Sequence, residues 1–246
     1  MSVTTTLTFP RVQPRPRRRP AANYPETDGR PMAESDFQRK PLTYAIEALD
    51  LFFREHSDVY VSGNLFVYYE KGNPDAVVAP DVFVVVGVAK RDRPSYSIWQ
   101  EGKGPDFVIE ITSRATRWED QGTKRALYTH LRVREYFQFD PTGDYLSPAL
   151  QGFRLTDEGD YAPILLRSDA AGALALPSQI LGLELRLHGG RLRFYDPVAG
   201  QQLPDYQEAE LARRAAEARA MAAEAELARL RAELAQLRSP QPPAEG

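Results

Sequence analysis

The sequence predicts an α/β or α+β chain: a sheet domain with helices, followed by a separate long helix. Three observations carry that expectation. Short runs rich in Val, Ile, Phe and Tyr alternate with stretches of helical periodicity. Their order (helix, strands, helix, strands) suits a sheet domain of about 170 residues. From Asp205 to Arg238 the composition changes to Ala, Glu, Arg and Leu without glycine or proline.

Each element rests on a local signal. Residues 1–25 are rich in Arg and Pro and are expected as a disordered arm. Leu42, Ile46, Leu49 and Phe53 recur at helical spacing and predict a first helix from about Leu42 to Glu55, with Pro41 tolerated only near its start. DVYVSGN and LFVYYE read as extended segments bent at Gly63–Asn64, and KGNPD reads as a turn. APDVFVVV, residues 79–86, has the apolar run of a strand buried on both faces, yet carries a carboxylate, Asp81, at its mouth. In GPDFVIEITS, alternation sets Phe107, Ile109 and Ile111 on one face and Asp106, Val108, Glu110 and Thr112 on the other.

Thr116, with Glu119 at capping-box spacing, opens a helix to about Leu131 that packs through Trp118, Leu127 and Leu131. REYFQFDP is a strand, and GFRLT and YAPILL are β-rich pieces. LELRLHGGRLRFYDP is a hairpin folded at Gly189–Gly190. Residues 26–200 thus form the folded unit, 204–238 a long helix and 239–246 a frayed tail. In the long helix Leu227, Leu230, Leu234 and Leu237 fall at 3-4-3 spacing; Ala220 and Ala223 extend the seam and Arg213 breaks it. A homo-oligomer through this helix, a dimer in the simplest case, is the expectation. A single amphipathic helix laid on its own domain is the alternative.

Composition narrows the chemistry. At 246 residues, with 42% hydrophobic and 26% charged, the chain can bury one sizeable core as a soluble protein. The net charge of −3 leaves no overall basic surface, so a nucleic-acid-binding stripe would have to be local. Arg11, Arg15, Arg17, Arg18 and Arg19 read as a phosphate-binding arm or as a solvated tail. The absence of cysteine excludes disulfides, thiolate nucleophiles and cysteine zinc sites, and suits a reducing, cytoplasmic setting. No apolar stretch nears the roughly 18 residues that span a bilayer, so no membrane partner is expected. His56, His130 and His188 are scattered without metal-ligand spacing, and neither a Gly-rich phosphate loop nor a G-x-S-x-G elbow occurs.

What stands out is acidic. Glu110 lies 29 residues after Asp81, in the next strongly apolar strand. If the two strands are neighbours, both carboxylates emerge near one spot. Two hard oxygen ligands on rigid strands suit Mg²⁺, which keeps waters and asks for few protein ligands. Such an ion activates water and stabilises charge on a phosphoryl group. Lys124, four residues after Asp120 on the following helix, could orient the water or neutralise phosphate charge. Each group also has a structural reading: Asp81 as a cap at the strand entry, Glu110 as a solvent-facing acid, Asp120 and Lys124 as a surface pair.

The combination APDVFVVVG, GPDFVIEITSRATRWEDQGTKRALY and VREYFQFDP resembles the Uma2 family, restriction-endonuclease-like proteins of the PD-(D/E)XK nuclease superfamily. YVSGNLFVYYEKGNP resembles the segment ahead of the PD motif. The resemblance implies a restriction-endonuclease-like fold, a central mixed β-sheet flanked by helices with the active site at one sheet edge. It implies a Mg²⁺-dependent endonuclease acting on DNA, with Mn²⁺ able to substitute. By position Asp81 is the PD aspartate and Glu110 the acid of (D/E)XK, and these with the Ile111 carbonyl hold the metal. The motif lysine is due two residues after Glu110, where Thr112 stands; the resemblance moves that role to Lys124. Glu47 and Glu70 are accessory candidates for a further acid, and Asp106, Asp120 and Gln121 are accessory candidates near the site. Tyr128 reads as core first and as a lining residue second. Because Thr112 replaces the lysine, a non-catalytic scaffold of the same fold is the second expectation.

Overall fold

The computed structural model describes residues 24–25, 35–113, 119–168 and 174–238, with 119–121 and 236–238 described as backbone only. The Arg-rich arm, the cap at Thr116, Trp118 and the tail 239–246 lie outside the described residues.

The first half holds α1 (Asp36–Phe52), β1 (Val59–Ser62), β2 (Val67–Tyr68), β3 (Val77–Val78), β4 (Val82–Val86), β5 (Tyr96–Ser97), α2 (Ile98–Glu101) and β6 (Phe107–Ile111). A π-helical turn (Glu119–Lys124) leads into α3 (Arg125–His130). Strands β7 (Glu135–Phe139), β8 (Leu150–Leu155), β9 (Tyr161–Pro163), β10 (Arg167–Ser168), β11 (Leu174–Ser178), β12 (Leu183–His188), β13 (Arg191–Asp196) and β14 (Gln201–Gln202) follow, and α4 (Tyr206–Arg238) ends the described chain.

Six strands form the main sheet in the order β1-β4-β6-β7-β8-β9. Within it β6 and β7 run parallel, joined by the crossover that contains α3, and the other neighbours are antiparallel. The sheet is therefore mixed, as expected. Smaller sheets of five strands (β10 to β14) and three strands (β3-β2-β5) accompany it.

The alternation read from FVIEI separates two cores. Phe107, Ile109 and Ile111 join Val82 and Val84 against Leu42, Ala45, Ala48 and Leu49 of α1 and Leu183, Leu185 and Phe194 of the five-stranded sheet. Val108 faces the other way with Phe83, Val85, Tyr96, Tyr128 and Tyr136. Both faces of β4 and β6 are dry, which is why their sequences are nearly continuous apolar runs. Polar clasps tie the layers together. Buried Glu135 of β7 accepts from Arg154 and also from Ser178 Oγ and the Gln179 amide beyond β11. The Tyr44 hydroxyl on α1 donates to the Leu203 carbonyl and accepts from the Phe194 amide.

Three departures from the sequence reading are found, two of them with a clear physical cause. Helix α1 begins at Asp36, six residues before the expected start, with Pro41 inside it. The carbonyl of Phe37 loses its amide donor to proline there, but Phe37 is largely exposed, so water can replace the bond. Tyr24 and Pro25, expected within the arm, are held on the domain: the Tyr24 ring packs against Tyr68 and Trp99, and the Tyr68 hydroxyl donates to the Pro25 carbonyl. The helix expected to reach Leu131 is π-helical over Glu119–Lys124 and α-helical over Arg125–His130, and nothing among the described residues explains the wider turn.

Candidate active site

The site is built by register. Antiparallel pairing sets Val82 opposite Ile109 and Phe83 opposite Val108, so one step outward sets Asp81 opposite Glu110. Two bonds extend the pairing past the end of β4. The Ile111 amide donates to Asp81 Oδ2 at 2.7 Å, and the Asp81 amide donates to Glu110 Oε2 at 3.4 Å. Asp81 therefore works at the mouth of its strand as a carboxylate that replaces a backbone acceptor. Its own backbone is fixed from the other side by Gly63 and Asn64. The Asn64 amide donates to the Pro80 carbonyl at 2.9 Å, and a Cβ at Gly63 would stand 2.1 Å from the Asp81 carbonyl oxygen.

Glu110 has no exposed surface. A buried carboxylate survives as an ion only if paired and hydrogen-bonded. Lys124 Nζ lies 3.0 Å from Oε2, and the Tyr128 hydroxyl donates to Oε1 at 2.5 Å. Lys124 is the last residue of the π-helical turn and Tyr128 follows at i+4, so the crossover offers an amine and a phenol to one carboxylate. The Lys124 side chain is 14% exposed, which leaves it in touch with solvent while its partner is not. Burial, and after it the Glu110 charge, holds the Tyr128 phenol well above its ordinary range, so it remains a donor.

Thr112 stands on the Glu110 face where the motif lysine is due. It is buried, and its Oγ1 has no hydrogen-bond partner among the described residues. Next in the same row, Gln138 of β7 pairs with Glu110 and Gln151 of β8 pairs with Gln138. Gln138 and Gln151 line, with Arg125 and Tyr145, a cleft of about 330 Å³ whose lining includes neither acid.

The accessory candidates behave differently. Asp106 immediately precedes the strand that Glu110 nearly ends, about 13 Å away at strand rise. There it is held by Lys103, Arg134 and the Val86 amide, each at 2.8 Å, as a structural tie. Glu70 is exposed and accepts from Asn73 Nδ2 at 3.0 Å. Glu47 is exposed on α1, which packs on the opposite face of the main sheet. The side chains of Asp120 and Gln121 lie outside the described residues. Tyr128 is the residue that sequence reasoning undervalued; its i+4 spacing from Lys124 was the available signal.

Two carboxylates facing across a strand pair, followed by the carbonyl of Ile111, are hard oxygen donors of the type and number that Mg²⁺ uses. No cluster of three or more His, Asp or Glu side chains able to hold a metal occurs among the described residues, so a larger acidic cage is not offered. The donor set fits a magnesium-type ion.

The family model described as "Uma2: Putative restriction endonuclease" matches residues 13–188. The chain belongs to the Uma2 family. The match spans both acids, Lys124 and the whole main sheet, so the sequence motifs and the fold refer to the same part of the molecule. Among solved structures, a putative nuclease from Anabaena variabilis ATCC 29413 is similar at 13% identity and a TM-score of 0.43, covering 61% of this chain and 76% of that one. No curated protein matches. Among the described residues, no helix is long and apolar enough to cross a membrane.

Proposed function

We propose that this Uma2 protein is a Mg²⁺-dependent endonuclease that hydrolyses DNA phosphodiester bonds, with Asp81, Glu110 and Lys124 as its catalytic groups. The supporting observation is their convergence: two carboxylates directly opposed on neighbouring strands, and one amine from the crossover 3.0 Å from the second. Asp81, Glu110 and the Ile111 carbonyl would hold the ion, which when bound supplies Lewis-acid stabilisation and a more acidic water. Water adds to phosphorus, the P–O bond to the leaving oxygen breaks, and a proton passes to that oxygen. The Lys124 ammonium neutralises charge on the non-bridging oxygens as the phosphorane forms. Tyr128 is a positioning residue, since it fixes the Glu110 carboxylate and touches no reacting atom.

Nicking of supercoiled plasmid by purified protein, with Mg²⁺ or Mn²⁺, tests the proposal. Activity is expected from the native chain and none from Asp81→Ala or Lys124→Ala. Nicking that survives Asp81→Ala defeats it.

A second reading, a scaffold that keeps the fold without the chemistry, draws on two features. Glu110 has no exposed surface, and Thr112 cannot act as the missing lysine. Calorimetry separates the two. A Mg²⁺ isotherm that disappears in Glu110→Ala supports the nuclease, and no isotherm with the native chain supports the scaffold.

A further inference from the structure

Helix α4 is 33 residues long, about 50 Å at helical rise, and every described side chain from Leu211 to Ala235 is exposed. It is not laid on its own domain. Its near end is fastened by Arg193, which pairs with Glu208 at 2.7 Å and with Asp205 at 3.3 Å; beyond that the helix projects. Leu227, Leu230 and Leu234 are about half exposed, at 53%, 46% and 54%. Ion pairs within the helix, Glu210 with Arg213 and Arg214 and Arg229 with Glu233, help it persist as a helix but cover none of this stripe.

Charge indicates what covers it. With Leu227 and Leu234 at heptad position a, and Ala216, Ala223 and Leu230 at d, position g holds Arg219, Glu226 and Glu233 and position e holds Glu210, Glu217, Glu224 and Arg231. In a parallel, in-register pair each g residue meets the e residue five positions later on the other helix. Arg219 then meets Glu224 and Glu226 meets Arg231, opposite signs in both cases, while each leucine stacks on its own copy. An antiparallel pair that keeps Leu227 against Leu230 sets Glu226 against Glu233, which offsets its favourable Glu224–Arg231 contact, and leaves Leu234 on Ala223. Both the charges and the leucine layers favour the parallel arrangement.

We infer that α4 pairs with the same helix of a second copy of this chain as a parallel, in-register coiled coil over about residues 216–238. Arg213, at an a position and tied to Glu210 and Glu217 within its own helix, marks where the pairing ends. Both globular domains then lie at one end of the rod.

The absence of cysteine makes the test clean. Sedimentation of the full chain should give about twice the monomer mass of 27.7 kDa. Oxidised Ala216→Cys should form a covalent dimer, because residue 216 meets its own copy only in the parallel pair. In the antiparallel pair the two copies of residue 216 stand roughly 40 Å apart. Arg219→Glu should raise the dimer dissociation constant roughly tenfold, and adding Glu224→Arg should restore it. Leu227→Ala with Leu230→Ala should give monomer whose globular domain keeps its unfolding midpoint. A native chain that is monomeric at all concentrations overturns the inference. So does a dimer that resists the leucine changes, one that fails to cross-link at 216, or a charge swap that does not rescue.

Discussion

Replacing Lys124 with methionine isolates the interaction on which the site depends. The substitution keeps most of the side-chain volume and removes the charge. What remains is a Glu110 carboxylate with no exposed surface, its Oε2 deprived of a donor 3.0 Å away, while Tyr128 and the Asp81 amide still donate. Breaking a buried pair by removing one partner costs about 3–5 kcal/mol, because the stranded charge has no water to return to. Set against a total stability of about 5–15 kcal/mol, that is a large fraction. Urea unfolding followed by circular dichroism should therefore show a strongly lowered midpoint with an unchanged slope. The double variant Lys124→Met with Glu110→Gln removes the stranded charge and should recover most of the loss. A cost for Lys124→Met below about 1 kcal/mol, the range of exposed pairs, would mean that the amine sits in water and not on Glu110. That result would refute the geometry from which catalysis is argued.

Three further outcomes follow from named contacts. Tyr128→Phe removes the hydroxyl from Glu110 Oε1 and should cost about 1–3 kcal/mol, while reducing nicking by more than the loss of folded protein explains. Gly63→Ala would place a Cβ 2.1 Å from the Asp81 carbonyl and 2.6 Å from Ile46 Cδ1; it should destabilise by about 1–3 kcal/mol and depress nicking, and a silent variant would contradict the close approach. Burial alone would raise the Asp140 carboxyl, but amide donors from Tyr145, Leu146 and Thr142 and the Thr142 hydroxyl outweigh it and hold it below its usual value. The stability this provides is complete above about pH 4 and is lost as the pH falls through the lowered native value. Asp140→Asn should flatten that part of the acid-unfolding curve, and an unchanged curve would rule the assignment out.

Much of the fold was legible because the strands announce themselves. VFVVV and FVIEI are β-branched and apolar enough to be buried on both faces, and alternation in the second assigns its residues to two cores correctly. Gly189–Gly190 gave the hairpin for a similar local reason, both glycines having positive φ at the turn. The opposition of Asp81 and Glu110 was legible only conditionally, since it needed β4 and β6 to be neighbours in one register, a long-range fact that no local pattern encodes. The early start of α1 was hidden because proline's local penalty is relieved by exposure of Phe37. Tyr24 was hidden because its partners, Tyr68 and Trp99, are far along the chain. Tyr128 is core, as its apolar surroundings in the sequence suggest, and the carboxylate that it faces makes it a lining residue of the site as well.

The measurement that bears most directly on the central claim is a crystal structure of the protein grown with Mn²⁺, its position fixed by anomalous scattering. One ion is expected, held by Asp81 and Glu110, with the Lys124 amine beside it. An ion bound elsewhere, or Asp81, Glu110 and Lys124 turned toward different surroundings, would contradict that claim.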